Sequence, residues 1–379
     1  VPGLDPRALR RLNTSVALRA LATASEPVGM STLAEQTGLS RRTVELILSA
    51  LVDAGWVLEL ERLPLSGGAG RPPRRFELRA DHSLLAAARI STLDATVVVA
   101  DVRGHILGRA HRILPDYFDP HGTLDVVAEL VHEALADAGG TIEQLRAGAM
   151  AAGGAIDEHG VVHRLVHADA WVNINLPTEL GIRVPVAWFA DNDANLGALA
   201  ESWRGSAGDH EDVVWSILGS RSGLGVLIRG VVHRGFQGAA GEIVEAQPLD
   251  AGLFDKRPVA FLTSPVAEER AAAEEVYRLA RAGDPGALSE VDAFVGYIGS
   301  VLTTLSWTLA PSLIVLGGGL ERGADVLLPR VREAMRRAQT PDIELRASTL
   351  GADGPLIGAL KFVLDRMDSE LFGPLVLDV

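Results

Sequence analysis

Two polar clusters in an otherwise apolar, glycine-rich stretch carry side chains able to do chemistry: Asp191-Asn192-Asp193-Ala194-Asn195 and Ala239-Ala240-Gly241-Glu242. Carboxylates and amides suit a polyol, because together they donate and accept several hydrogen bonds in set directions. A carboxylate such as Asp193 can also take the proton of a sugar hydroxyl during phosphoryl transfer, a reaction that needs a phosphate cradle as well. Helix capping is the competing reading, and it suits Asn195 better than Asp193.

A different chemistry is written near the start. Ser40-Arg41-Arg42-Thr43 opens a helical pattern in which Val44, Ile47, Leu48 and Leu51 form a buried stripe. Ser40 is placed to cap that helix, Gly38 to supply the turn before it, and Thr32 with Glu35 has capping-box spacing for the preceding short helix. A recognition helix enters the major groove by its first turn, so Ser40, Arg41, Arg42 and Thr43 are expected to reach bases or phosphates. Downstream, Trp56 to Leu60 and Arg75 to Leu78 read as paired strands around the tip Gly67-Gly68-Ala69-Gly70-Arg71-Pro72-Pro73-Arg74-Arg75. Arg71, Arg74 and Arg75 are the candidate wing contacts to phosphate or minor groove; arginines that merely keep a loop soluble are the bland alternative. Trp56 is expected in the core.

The elements that must hold these residues divide the chain unevenly. At 379 residues it exceeds what one hydrophobic core usually supports. Residues 1 to 80 hold eleven arginines against eight acids, a net plus 3, while the whole chain carries minus 14. A local cationic face on an acidic molecule can grip DNA, with dimeric binding needed to make so modest a charge effective. From Leu84 the alternation becomes βαβ in style, with strands expected at 85–90, 95–100, 106–111, 147–150, 186–190, 213–218, 225–228 and 312–316. Helices are expected at 123–137, 265–282 and 290–309, which describes a large α/β body with two lobes. The absence of cysteine excludes a disulfide, a thiolate nucleophile and Cys-ligated zinc. With no long apolar run and no leader-like start, a cytoplasmic location without membrane contact is expected.

Taken in order, Thr37-Gly38-Leu39-Ser40-Arg41-Arg42-Thr43-Val44, the Gly/Arg/Pro wing, Asn192-Asp193-Ala194-Asn195, Ala240-Gly241-Glu242-Ile243 and Ile314-Val315-Leu316-Gly317-Gly318-Gly319 resemble the regulator branch of the ROK family (repressors, open reading frames and sugar kinases). The resemblance implies a winged helix-turn-helix (1–80) followed by an actin-like, ribonuclease H-like sugar-kinase fold. Its two lobes would fill 81–190 and 191–350, and a C-terminal helix (351–379) would return to the first lobe. It implies sugar contacts from Asn192, Asp193 and Glu242, with Gly154 as a pocket wall and Asp193 at the base position. It also marks departures. The family's zinc-binding His is replaced by Glu245, and the family's cysteine cluster is missing, so no metal is expected. The first phosphate loop reads Arg89-Ile90-Ser91-Thr92-Leu93 without its glycines, and the second reads Gly219-Ser220-Arg221-Ser222-Gly223-Leu224-Gly225. Without glycine, backbone N–H groups close poorly around phosphates.

The reading is therefore a regulator of duplex operator DNA, more a repressor than an activator, whose body has lost phosphoryl transfer and needs no cofactor. A homodimer or dimer of dimers would respond to a sugar or related metabolite between the lobes. Three alternatives stand: an amino-bearing effector held by Glu245, a body that only dimerises, and a working kinase fused to a DNA reader.

Overall fold

A computed structural model describes residues 6–60, 74–243 and 256–373. The first helices are α1 (Pro6–Thr23), α2 (Met30–Thr37) and α3 (Arg41–Asp53). A three-stranded sheet, β1 (Val28–Gly29), β2 (Val57–Leu60) and β3 (Arg75–Leu78), packs with them in the order β1-β3-β2. Val44, Ile47, Leu48 and Leu51 are buried as the stripe predicts, and Gly38 ends α2 in the left-handed conformation at φ +70°. The capping box at Thr32 and Glu35 does not form. α2 instead starts at Met30 behind Gly29, with no side-chain cap. Val28 and Gly29 are drawn into the sheet opposite Phe76 and Arg75, and this pairing fixes where the helix begins. Trp56 lies half-buried against the His82 ring, 4.6 Å between centroids.

The first lobe is a five-stranded sheet of β4 (Leu84–Ile90), β5 (Asp94–Asp101), β6 (Ile106–Ile113), β7 (Leu145–Ala152) and, beyond the small hairpin of β8 (Ala155–Ile156) and β9 (Val162–Arg164), β10 (Ala187–Asn192). Its order is β10-β7-β4-β5-β6, antiparallel across β4-β5-β6 and parallel across β4-β7-β10. The core against α4 (Pro120–Asp137) and α5 (Leu176–Arg183) covers one face and the C-terminal helix covers the other, which is why β4 and β7 read as nearly continuous apolar runs of small residues.

The second lobe repeats that order with β11 (Val213–Ile217), β12 (Gly223–Ile228), β13 (Val231–Val232), β14 (Leu313–Leu316) and β15 (Glu344–Ala347), arranged β13-β12-β11-β14-β15. Helices α7 (Ala267–Arg281), α8 (Pro285–Thr308) and α9 (Ala324–Arg337) build its core on one face. α8 starts five residues earlier than the apolar pattern suggests, because Asp284 Oδ1 accepts the Ala287 amide at 2.8 Å and Pro285 pre-sets the first turn.

Between the sheets lie α6 (Asp193–Arg204) and α10 (Gly354–Leu371). α6 packs on β11 and β12; α10 packs along α6 and against β4 and β7. Both approaches are backbone-close. A Cβ on Gly225 would sit 1.9 Å from Ala194 O, and one on Gly358 would sit 1.8 Å from Leu196 O. The far end of α10 holds the helix-turn-helix head. Arg19 donates to both carboxylate oxygens of Asp368 at 2.7 and 2.6 Å, Ser15 Oγ donates to Phe372 O, and Arg103 Nη2 donates to Leu21 O at 3.1 Å. Head, first-lobe face and α10 thus share one hydrophobic core.

Candidate functional site

β10 delivers Asp191 and Asn192 to the mouth between the lobes, and α6 begins there. Asn192 caps α6, its Oδ1 accepting the amides of Ala194 at 2.8 Å and Asn195 at 3.1 Å. Its Nδ2 donates to Gly154 O at 2.9 Å and to Glu242 Oε1 at 3.1 Å, so Gly154, Asn192 and Glu242 form one constellation with Asp193 beside it. Gly154 has φ +94°, and a Cβ there would meet Arg164 O at 2.4 Å, which makes glycine necessary at this turn. Glu245 and Arg71 lie outside the described residues.

Asp191, fully buried, is held by Arg234 Nε at 2.9 Å and by Asn195 Nδ2 at 3.0 Å. Burial pushes its carboxyl up, and the Arg234 charge pulls it back. Asn195 does not take the capping role that its place in the cluster suggests; Asn192 does, and Asn195 lies inside α6 as a buried structural residue bonded to Asp191, while Arg234 is a partner that no spacing in the sequence announces. Asp193 is 21% exposed and 3.9 Å from Arg221 Nη1. Desolvation raises its carboxyl above the ordinary range, with Arg221 opposing.

Replacing Asn192 by alanine should cost about 0.5–2 kcal/mol through the lost cap alone. Asn192→Asp keeps the capping oxygen but sets a second carboxylate against Glu242. Urea melts should rank wild type above Asn192→Asp, and ligand binding should fail in both variants.

In the two loops that would cradle phosphate, backbone donors are already engaged within the protein. The amides of Leu93 and Asp94 donate to Ser91 Oγ at 3.2 and 3.1 Å. In the second loop the Ser220 amide donates to Ala260 O at 3.1 Å and the Arg221 amide to Thr263 Oγ1 at 3.1 Å. Donors already engaged within the protein are not offered to a nucleotide. Among the described residues no group of three His, Asp or Glu could hold a metal, and the donor set does not suit zinc.

On the head, Ser40 Oγ accepts the Thr43 amide at 3.1 Å and lies 2.8 Å from Thr43 Oγ1. Arg41 and Arg42 project from the first turn of α3 into solvent, Arg42 with only an exposed partner, Glu45, at 3.3 Å. Arg74 and Arg75 are engaged. Arg74 Nε meets Glu59 at 2.6 Å and its guanidinium lies over Phe76, while Arg75 donates to Pro27 O at 3.1 and 2.9 Å.

Two sheets of identical strand order clasping paired helices, with a polar constellation at the mouth, define an actin-like sugar-kinase body joined to a winged helix-turn-helix. The chain belongs to the ROK family, whose model matches residues 87–252 and 257–366. The IclR helix-turn-helix domain model matches residues 16–60. The chain is similar to the xylose repressor of Bacillus subtilis (strain 168), 23% identical over 378 residues, spanning 96% of this chain and 97% of the repressor. In structure it resembles a ROK family transcriptional regulator, a homolog of the E. coli MLC protein, with TM-score 0.71 and 19% identity over 98% of this chain and 100% of that one. A ROK family glucokinase from Streptomyces griseus, solved with glucose and AMPPNP, matches the body alone: TM-score 0.58, 22% identity, 74% of this chain and 99% of the enzyme. No described helix is long and apolar enough to cross a membrane.

Proposed function

We propose that this chain is a DNA-binding transcriptional regulator, a repressor in its usual state, that reads duplex operator with α3 and releases it when a sugar or sugar-derived metabolite binds between the lobes. The observation that carries this reading is the unbroken packing from site to head. Asn192 and Asp193 open α6, α6 packs along α10, and α10 grips α1 through Asp368 and Phe372. A ligand that favours one lobe arrangement biases the head through these helices. Repressor relatives spanning the whole chain support the reading, and the engaged loop donors argue against phosphoryl transfer. A homodimer, placing two α3 helices on successive half-sites, supplies the affinity that one head of net plus 3 lacks.

Genome-wide mapping of bound DNA, followed by titration of the recovered fragments with and without sugars, tests this. Selective binding to a few promoter fragments, weakened by at least one sugar and unaccompanied by ATP consumption, is the expected result. Magnesium-nucleotide turnover lost in Asp193→Asn, with no preference for any fragment, would replace the regulator with a kinase. Promoter binding that ignores every sugar would leave a scaffold that only dimerises.

A further inference from the structure

A cavity of about 190 Å³ lies between the lobes beside Asp193, lined in part by the two loops that would cradle phosphate. Its walls are rich in donors. Arg89 comes from β4, Arg221 from the loop before β12, Arg270 from α7 and Arg322 from the turn after β14. Arg270 makes its hydrogen bonds to two carbonyls, those of Ser264 at 2.9 Å and Pro265 at 2.5 Å, and among the described residues no carboxylate pairs with it. Arg221 donates Nε to Thr263 O at 2.7 Å, and among the described residues its one ion pair is the long one with Asp193, at 3.9 Å. Two buried donors at the wall, Arg89 Nε and the Trp215 indole nitrogen, have no hydrogen-bond partner among the described residues.

Of the acids at the wall, Asp94 pairs with Arg89 at 3.1 Å and is also bonded to Ser91 and His111, Glu321 accepts the Gly319 amide, and Arg322 is balanced by Glu274 outside the cavity. Burial lowers the Arg221 guanidinium below the ordinary value and Asp193 opposes this; the like charges of Arg89 and Arg270 add to the lowering, partly offset by Asp94. Buried donors without acceptors are costly, and an acceptor-rich anion relieves the cost.

We propose that this cavity binds the anionic group of a phosphorylated or carboxylated sugar, with the guanidinium groups of Arg221 and Arg270 around the anion, the Arg89–Asp94 pair beside them and the hydroxyls directed to Asp193. This rests on the regulator reading above and specifies the ligand class of the same cleft. A side-chain cradle has replaced the backbone cradle, and the space suits a small anion rather than a nucleoside triphosphate, since sites for larger ligands run to roughly 300–1,000 Å³.

Calorimetry on the full chain with matched sets tests it: glucose, glucose 6-phosphate and gluconate; N-acetylglucosamine and its 6-phosphate; xylose, xylose 5-phosphate and xylonate. At least one charged member should bind about tenfold or more tightly than its neutral parent. A preference for the 6- or 5-phosphates would assign a phosphoester, and one for gluconate or xylonate a carboxylate; either supports the inference. Arg270→Gln and Arg221→Gln, each checked for native circular dichroism, should cut that preference to under about threefold, and Arg221→Lys should keep part of it. The inference fails if no charged sugar outbinds its parent, or if the preference survives in both glutamine variants. Operator binding by the same samples without sugar separates the two readings. If it persists while the charge preference is absent, only the anion site falls; if it is absent, the regulator reading falls by itself.

Discussion

Arg41→Ala combined with Arg42→Ala is expected to weaken operator binding by on the order of 100-fold at fixed salt while leaving folding stability within about 0.5 kcal/mol. Both side chains stand in solvent on the first turn of a helix fixed by its Ser40 cap, so nothing in the fold depends on them. The ion pair that the double substitution removes, Arg42 with Glu45, joins groups 75% and 47% exposed, and such pairs add little. Electrophoretic or anisotropy titrations at several salt concentrations identify what each arginine touches. A phosphate contact lowers the salt slope by about one per arginine, whereas a base contact erodes discrimination between sites and leaves the slope nearly unchanged. Arg74→Ala should matter less, because that guanidinium is already neutralised by Glu59 and would have to leave it to reach a phosphate. Undiminished affinity in the double variant would remove α3 from the interface.

Gly358→Ala should be a strongly disruptive single methyl in the body. The added carbon would meet the carbonyl of Leu196, with its oxygen, carbon and Cα at 1.8, 2.4 and 2.9 Å, all of it backbone that cannot rotate away. α10 and α6 must separate, at a cost of about 1–3 kcal/mol or more. Melting should fall by roughly 2–4 °C for each kcal/mol lost. Because α10 also carries the head, the variant should lose sugar control of DNA binding more severely than it loses stability. Gly181→Ala in α5 is the control: its nearest neighbour would be Val186 O at 3.8 Å, so alanine should be neutral or stabilising there by up to about 1 kcal/mol. Equal melting of both variants would show that the seam is looser than its geometry implies.

The helical stripe of α3, the Ser40 cap and most strands of both lobes were legible because burial periodicity and capping chemistry are local. β15 and the first turn of α8 escaped the apolar pattern, the first because Glu344 and Arg346 make a short strand look polar. The start of α2 was misplaced because strand pairing, a long-range event, overrode a plausible local box. Asp193 was readable from its cluster and Asn192 from the resemblance, but the arginines around the cleft were read only as defects in phosphate loops. That they come together with Arg270 depends on how α7 packs beside the other lobe, which no spacing encodes. Arg234 is similar: its partner Asp191 is 43 residues away.

The grip on the head has an implication for how the molecule comes into being. Arg19 finds Asp368 across 349 residues of sequence. A ribosome therefore delivers a complete DNA reader long before it delivers the helix that restrains it. Until α10 emerges and seats, the young head lacks both the Arg19–Asp368 pair and the Ser15 bond to Phe372, and leans on the first lobe alone, through contacts such as Arg103 with Leu21 and His82 with Trp56.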